Sequence, residues 1–211
     1  YLEMLTDLIP ELATCRPERL SSPEFPLLRS IIQIGVASHS GMFCFQEIIE
    51  KGTTAYLARV DGISRKLFLD ESINLQFTSG TTGTPKAATL THKNIVNNAR
   101  FVAESMQLTQ KDKLCIPVPL YHCFGMVLGN LACVAEGTTM VFPGEGFDPV
   151  DTLEALNEER CTGVHGVPTM FSAMLNCTGF GQYDLRSLRT GIMAGAPCPI
   201  ELMKDVVAKM H

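Results

Sequence analysis

The chain has 211 residues, of which 45% are hydrophobic and 18% charged, so it can form one large domain or two small ones around a buried core. A net charge of −5 with only 17 Lys and Arg residues argues against a nucleic-acid-binding surface, which needs a basic stripe. There is no apolar run of membrane-spanning length and no basic signal-peptide region at the start, which favours the cytoplasm or, in a eukaryote, the mitochondrial matrix.

The eight cysteines are scattered singly, mostly within apolar runs, and no two of them form a C-x-x-C pair. This spacing lacks the pattern of a zinc site. It favours free, buried thiols in a reducing compartment over a disulfide framework. We therefore predict no metal site from the cysteines.

The first part of the chain, residues 1–70, carries short and mixed signals, and we interpret it as a connecting subdomain segment. The signals are helical leucine spacing, a proline-rich stretch, an apolar run and turn residues. The predicted elements are a helix over residues 2–12, a loop over 16–26, a buried strand over 31–36, a short helix over 45–51 and a turn at Asp61-Gly62.

Residues 71–211 show a regular alternation of strands and helices. The predicted strands cover residues 73–78, 87–90, 114–118, 138–142, 162–167 and 190–194, and the predicted helices begin at about residues 92, 124, 149, 168 and 199. Thr91 and Asp148 have the side chains of helix N-caps, and Pro149 suits a first helical position. The alternation predicts an α/β fold with a mostly parallel sheet flanked by helices on both faces. Ligands of such sheets bind beyond the carboxyl ends of strands.

One segment after the first of these strands is rich in hydroxyls and glycine. Its residues are Thr78, Ser79, Gly80, Thr81, Thr82, Gly83, Thr84, Pro85 and Lys86. Glycines let backbone N–H groups converge on an anion, hydroxyls donate further hydrogen bonds, and a lysine adds a positive charge. The segment therefore predicts a polyphosphate site, although a plain surface turn is an alternative.

A Walker A loop is a second alternative for the same segment, and the sequence argues against it. That motif requires glycine before the lysine, Ser or Thr after it, and then a helix. Here Pro85 precedes Lys86, Ala87 follows it, and the next residues have the pattern of a strand. Phosphate binding at a helix N-terminus is therefore not predicted.

The loop resembles the signature of the adenylate-forming, or AMP-binding, superfamily, roughly [ST]-S-G-[ST]-T-G-x-P-K-G. The match holds through Lys86 and departs at Ala87, where the family usually has glycine. The resemblance implies that residues 71–211 are the nucleotide-binding α/β subdomain of an acyl-CoA synthetase-like N-terminal domain. The chain as a whole is then part of that domain.

Two further segments strengthen the resemblance. Residues 119–125 are similar to the family's P-x-x-H-x-x-G motif, which implies that His122 lies near the acyl carboxylate, whereas alone it would more often be a buried, satisfied histidine. Gly195, Ala196 and Pro197 resemble the segment whose backbone flanks adenine. A looser match at Gly166-Val167-Pro168 also fits a helix start, and His165 before it is interpreted as a packing residue.

The family resemblance, closest to medium-chain fatty acyl-CoA synthetases, implies ATP-dependent activation of a fatty acid to an acyl adenylate and then to acyl-CoA. His122 and Lys86 would be catalytic, and the partners would be fatty acid, ATP and CoA, with oligomeric state left open. The main Mg²⁺ ligand is expected in a Y-G-x-T-E motif beyond residue 211, so this chain alone is expected to be inactive. The alternatives are an amino-acid adenylation domain and a truncated, non-catalytic nucleotide-binding module.

Overall fold

The computed structural model describes residues 1–35, 39–78 and 83–210. The chain divides into two compact units, residues 1–67 and 68–211. The roles that the sequence suggests for the parts before and after residue 70 stay predictions.

The first unit is small and built around a few apolar side chains. Its elements are α1 (Leu2–Leu8), β1 (Ile32–Gln33), β2 (Phe43–Cys44), α2 (Phe45–Glu50) and α3 (Thr54–Ser64). The strands β1 and β2 pair in parallel. Ile9, Leu12, Leu20 and Met42 form the buried core of this unit.

Three predictions for the first unit need correction. The helix over 2–12 ends at Leu8, and Pro10 then begins a 3₁₀ turn, because a proline cannot continue the hydrogen-bond ladder of a helix. The strand over 31–36 is only two residues long in the described part of the chain, and it is not buried, since Ile34 is 88% exposed. The turn at Asp61-Gly62 lies inside α3, because glycine costs an exposed helix only about 1 kcal/mol.

The second unit begins with a hairpin. Strand β3 (Ser72–Thr78) pairs antiparallel with β4 (Lys86–Thr91), so that Thr78 lies opposite Lys86. The apolar side chains of β3 remain exposed, with Leu75 at 62% and Phe77 at 66%. The hairpin leads directly into a helix.

A four-stranded parallel sheet forms the centre of the second unit, in the order β6-β5-β7-β8. Its strands are β5 (Lys113–Cys115), β6 (Thr139–Val141), β7 (Gly163–Gly166) and β8 (Thr190–Met193). The helices are α4 (His92–Ser105), α5 (Ala132–Glu136), α6 (Pro149–Glu158), α7 (Pro168–Leu175) and α8 (Ile200–Met210), and a π-helix covers Phe124–Leu131. The predicted capping is confirmed: Thr91 accepts a hydrogen bond from Asn94 N–H, and Asp148 accepts from two N–H groups of α6.

Helices cover both faces of this sheet, as predicted. On one face Cys115 packs with residues of α6, α7 and α8. On the other face Leu114 and Ile116 pack with residues of α4, the π-helix and α5. Neighbouring side chains of β5 therefore point into different cores, as the period of two in a strand requires.

An ion pair ties the amino ends of three strands together. Asp112, only 4% exposed, accepts two hydrogen bonds from the Arg189 guanidinium, Nε–Oδ1 at 3.0 Å and Nη2–Oδ2 at 2.6 Å. It also accepts hydrogen bonds from Thr109 and from Thr162 Oγ1. Burial alone would raise the pKa of Asp112, but these hydrogen bonds outweigh it and hold the pKa well below its usual value. The pair fixes β5, β7 and β8 at the edge opposite to their carboxyl ends.

No helix among the described residues is long and apolar enough to cross a membrane.

Candidate active site

Two of the predicted site segments lie at the same edge of the parallel sheet. Strand β5 ends at Cys115, and the chain then runs through a turn to His122. Strand β8 ends at Met193, and residues 195–197 follow it before α8. Because β5 and β8 belong to one parallel sheet with β7 between them, both segments emerge at its carboxyl edge.

The turn at His122 is held by hydrogen bonds to its own neighbours. The backbone N–H of His122 donates to Pro119 O at 3.2 Å, and the backbone N–H of Phe124 donates to His122 Nδ1 at 3.1 Å. Since Nδ1 accepts, the neutral ring carries its proton on Nε2. His122 is exposed, so this Nε2–H is a donor available at the surface of the sheet edge.

Gly125 explains the glycine of the P-x-x-H-x-x-G motif. A methyl group added at this position would overlap the carbonyl oxygen of Pro119 and lie 2.8 Å from its carbonyl carbon. Only a residue without Cβ allows the Pro119 carbonyl to lie this close to the start of the π-helix. The glycine thus determines where His122 is placed.

His165 of β7 lies behind this π-helix. Its side chain is fully buried, as expected of a packing residue, and its Nε2 lies 3.0 Å from the carbonyl oxygen of Leu128. Its ring packs against that of Phe124, with 5.2 Å between the centroids and the two planes tilted by 38°. Burial lowers the pKa of His165, which keeps the ring neutral at neutral pH.

The turn after β8 depends on a left-handed glycine. Gly195 has φ +85°, and a methyl group there would lie 3.1 Å from Val167 Cγ1 at the end of β7. The N–H of Ala194 donates to Gly166 O, so the ladder between β7 and β8 continues up to this turn. The turn is therefore in close contact with the segment that starts α7.

An apolar cleft of about 490 Å³ opens at the same edge, between the loops that follow β5 and β6. Its walls come from the residues that lead to His122, from the loop after Val141 and from the first turn of α7. The lining residues are 116–121, Phe142, Gly144, Glu145, Gly146, Phe147 and Met170. Most of these residues are apolar, and Glu145 is the one charged residue in this lining.

The predicted phosphate loop lies at the tip of the β3–β4 hairpin. Ser79, Gly80, Thr81 and Thr82 fall outside the described residues, so the structure gives no account of them. Of the rest, Gly83 has φ +87°, the conformation that favours glycine, and the Thr78 hydroxyl donates to Lys86 O at 3.4 Å. Lys86 is exposed at the first position of β4, and Thr84 and Pro85 are also exposed.

The structure does not bring this hairpin into hydrogen-bond contact with the other two segments. Over residues 1–35, 39–78 and 83–210, no hydrogen bond joins the hairpin tip to the His122 turn or to the Gly195 turn. The same residues contain no group of three or more His, Cys, Asp or Glu that could hold a metal ion. All eight cysteines are free thiols.

The sequence was also compared with known families. The family described as AMP-binding enzyme matches residues 36–211. The chain belongs to this family. The AMP-binding chain is 48% identical to YngI of Bacillus subtilis over 210 residues, 100% of the chain and 38% of that protein.

Other relatives carry acyl-CoA ligase names. The chain is 41% identical to the mitochondrial medium-chain acyl-CoA ligase ACSF2 of Danio rerio, covering 100% of the chain and 35% of that protein. It is 47% identical to the acyl-CoA ligase sidI of Aspergillus fumigatus, covering 82% of the chain and 29% of that protein. The AMP-binding chain thus spans about a third of the length of these relatives, from 29% to 38%.

Solved structures support the fold. An anthranilate CoA ligase in complex with anthranoyl-AMP superimposes with a TM-score of 0.73 over 87% of this chain and 35% of that one, at 23% identity. The O-succinylbenzoate coenzyme A synthetase of Bacillus subtilis, in complex with AMP, gives a TM-score of 0.59 at 29% identity over 68% of this chain and 29% of that one.

Sequence reasoning missed two features of this site. The π-helix was predicted only as an apolar helix, because composition carries no signal for one extra residue per turn. His165 lies about forty residues after Leu128 and Phe124, and no local sequence pattern predicts a contact over that separation. The isolated histidine in an apolar strand was the one signal that pointed to it.

Proposed function

We propose that the full-length protein is an AMP-forming acid–thiol ligase that activates a fatty acid with ATP and transfers it to CoA. The observation that supports this most directly is the exposed imidazole of His122, which follows directly in the chain on Tyr121 of the cleft wall. Both lie at the carboxyl edge of the sheet, in a chain of the AMP-binding family. The acyl-CoA ligase names of two relatives point to the same substrates.

The proposed reaction has two steps. A carboxylate oxygen of the acid attacks the α-phosphorus of ATP, the bond between the α- and β-phosphates breaks, and pyrophosphate leaves. The thiolate of CoA then attacks the carbonyl carbon of the acyl adenylate, AMP leaves, and a thioester forms. No general base is needed for the first step, because the carboxylate is already ionised at neutral pH.

In this proposal His122 positions the acid and Lys86 acts on developing charge. The Nε2–H of His122 donates to a carboxylate oxygen of the acid and so places the acyl group for attack. Lys86 and the loop from Thr78 to Pro85 hold the β- and γ-phosphates as they become pyrophosphate. The positive φ of Gly83 and the exposure of Lys86 suit a loop whose N–H groups and charge face a ligand.

The remaining residues orient the substrates. Gly195, Ala196 and Pro197 would flank adenine, since a turn without large side chains lets a flat ring approach the backbone. The cleft beside Tyr121 and Phe147 would take the aliphatic chain. An apolar wall disfavours an amino acid, whose ammonium would need a buried partner.

Mg²⁺ is expected with ATP, and it would neutralise phosphate charge. The described residues do not fit a metal centre, since they contain no cluster of ligands. We therefore propose that the main Mg²⁺ ligand belongs to another part of the protein. The cytoplasm or the mitochondrial matrix is proposed as the location, in line with eight free thiols.

Acid-dependent exchange of pyrophosphate into ATP by the full-length protein tests this proposal. At least one fatty acid in a screen of short, medium and long chains should support exchange, and the matching alcohol should not. Exchange that responds to amino acids and not to fatty acids would favour an adenylation domain. A protein that binds ATP but exchanges with no acid would favour a non-catalytic nucleotide-binding module.

A further inference from the structure

The buried ring of His165 contacts two residues of the π-helix at once. Its Nε2 lies 3.0 Å from Leu128 O, and because a carbonyl oxygen only accepts, this nitrogen carries the proton. The same ring packs at a tilt against Phe124, four residues before Leu128 in the π-helix. One side chain of a central strand therefore fixes both the main chain and a side chain of this helix.

Phe124 also holds His122, through its main chain. Its backbone N–H donates to His122 Nδ1, while its ring faces His165. Phe124 thus connects the two imidazoles. Its ring contacts the buried His165, and its backbone N–H binds the exposed His122. A shift of the Phe124 ring would move the N–H group that orients His122.

Packing alone does not account for an imidazole at position 165. Its Nδ1 is buried and makes no hydrogen bond of good geometry within the described residues, and the Val164 backbone beside it acts on the pKa of the ring only as a weaker contact than burial. A buried, unpaired polar atom costs stability compared with an apolar group of the same shape. Phenylalanine would fill the space without that cost, but it could not donate to Leu128 O.

We propose that His165 is a positioning residue for the acyl end of the site. It holds Leu128 and Phe124 in place and thereby directs the Nε2–H of His122 toward the carboxylate of the acid. The inference rests on the proposed acid-activating function. His165 itself does not contact the substrate in this arrangement, since its side chain is fully buried.

The test uses the full-length protein with His165→Phe, which keeps a ring but removes the donor, and His165→Gln, whose amide can donate near the place of Nε2. In acid-dependent pyrophosphate exchange, His165→Phe should lower kcat/KM for the acid by about 10- to 100-fold, the size expected for a small displacement of a reacting group. The KM for ATP should change by less than about twofold, and His165→Gln should recover most of the loss.

A double-mutant cycle with His122→Ala separates positioning from a general structural role. If His165 acts through His122, adding His165→Phe to His122→Ala should lower kcat/KM for the acid little further. Losses that multiply in the double variant would overturn the proposal. So would a KM for ATP that rises as much as the KM for the acid, or a failure of His165→Gln to recover activity.

A second measurement does not depend on catalysis. In protein labelled with ¹⁵N-histidine, the neutral form of each ring should carry its proton on Nε2. In His165→Phe the His122 ring signals should move toward those of a free histidine, and unchanged His122 signals would overturn the coupling. If the wild-type protein shows no acid-dependent exchange while these spectra behave as expected, the proposed function fails and the positioning of His122 stands.

Discussion

In the four-stranded sheet both faces are covered by helices, whereas in the β3–β4 hairpin even Leu75 and Phe77 remain mostly exposed. Both regions carry candidate site residues at their ends. At the sheet edge, packing decides where a residue such as His122 lies. In the hairpin, the conformation of the backbone has to position the site residues, because little packs against their side chains. Substitutions should therefore cost more folding free energy in the first region than in the second.

The largest effect on folding is expected at the ion pair that ties the sheet together. In Asp112→Ala the Arg189 guanidinium keeps the carbonyl oxygens of Met106 and Gln107 as acceptors. The loss of the carboxylate, which also accepts from two threonine hydroxyls, should lower the free energy of unfolding by about 3 kcal/mol. We place it at the low end of the range for buried pairs because Arg189 is 40% exposed. Urea unfolding measures this, with Glu201→Ala as the control, whose pair with Lys204 is exposed and should contribute less than about 0.5 kcal/mol. Equal losses in both variants would contradict the comparison.

The contribution of this pair should depend on acid pH. The pKa of Asp112 is lower in the folded state than its ordinary value of 3.8, so its stabilisation is fully present above 3.8 and is lost as the pH falls toward the folded-state pKa. The difference in unfolding free energy between the wild type and Asp112→Asn should therefore be constant near neutral pH and shrink below 3.8. A difference that grows as the pH falls would contradict the lowered pKa of Asp112.

Two glycines allow the regions to be compared directly. Gly125→Ala at the sheet edge forces a methyl group onto the Pro119 carbonyl and should cost about 1–3 kcal/mol of unfolding free energy. Gly83→Ala in the hairpin meets no atom within 4 Å, so only its φ of +87° is strained, and the cost should be about 1 kcal/mol. Thermal unfolding of both variants shows which of the two costs more stability.

Gly62→Ala is the control for these two variants. Gly62 lies in the exposed helix α3 with open space around it, so alanine should leave the free energy of unfolding unchanged or raise it slightly.

The smallest effect on folding is expected at Lys86, which is exposed at the hairpin tip. Lys86→Met should change the free energy of unfolding by no more than about 0.5 kcal/mol. In the full-length protein it should nevertheless lower pyrophosphate exchange by about 100-fold, because a charge that faces the leaving phosphates is lost. Lys111→Met, another exposed lysine, is the control and should leave both quantities unchanged. Normal exchange by Lys86→Met would remove the hairpin from the proposed site.

Local signals in the sequence predicted much of the second unit. Thr91 and Asp148 cap their helices as expected, because an N-cap depends on side chains a few residues away. Asp61-Gly62 was wrongly predicted as a turn, since the neighbouring residues of α3 favour a helix more strongly than one glycine opposes it. The apolar run at 31–36 predicted a buried strand, but burial depends on what packs against it, and Ile32 and Ile34 are exposed.

The candidate site was predictable where short motifs describe a turn. The spacing in residues 119–125 has a steric reason, since a side chain at position 125 would overlap the Pro119 carbonyl. The cleft and the link from His165 to His122 were not predictable, because they join segments about forty residues apart through packing. Whether the hairpin tip meets the other two segments around one nucleotide stays a prediction.

The π-helix from Phe124 to Leu131 makes the site sensitive to the number of residues in that stretch and not only to their identity. A π-turn accommodates one residue more than an α-turn, and each residue of an α-helix advances it by about 100° around the axis. Deleting a single residue there would let the segment rewind as an α-helix and would rotate Phe124, and His122 with it, away from β7. An insertion or deletion scan of this stretch should thus be far less tolerated than the replacement of its apolar side chains by others of similar size.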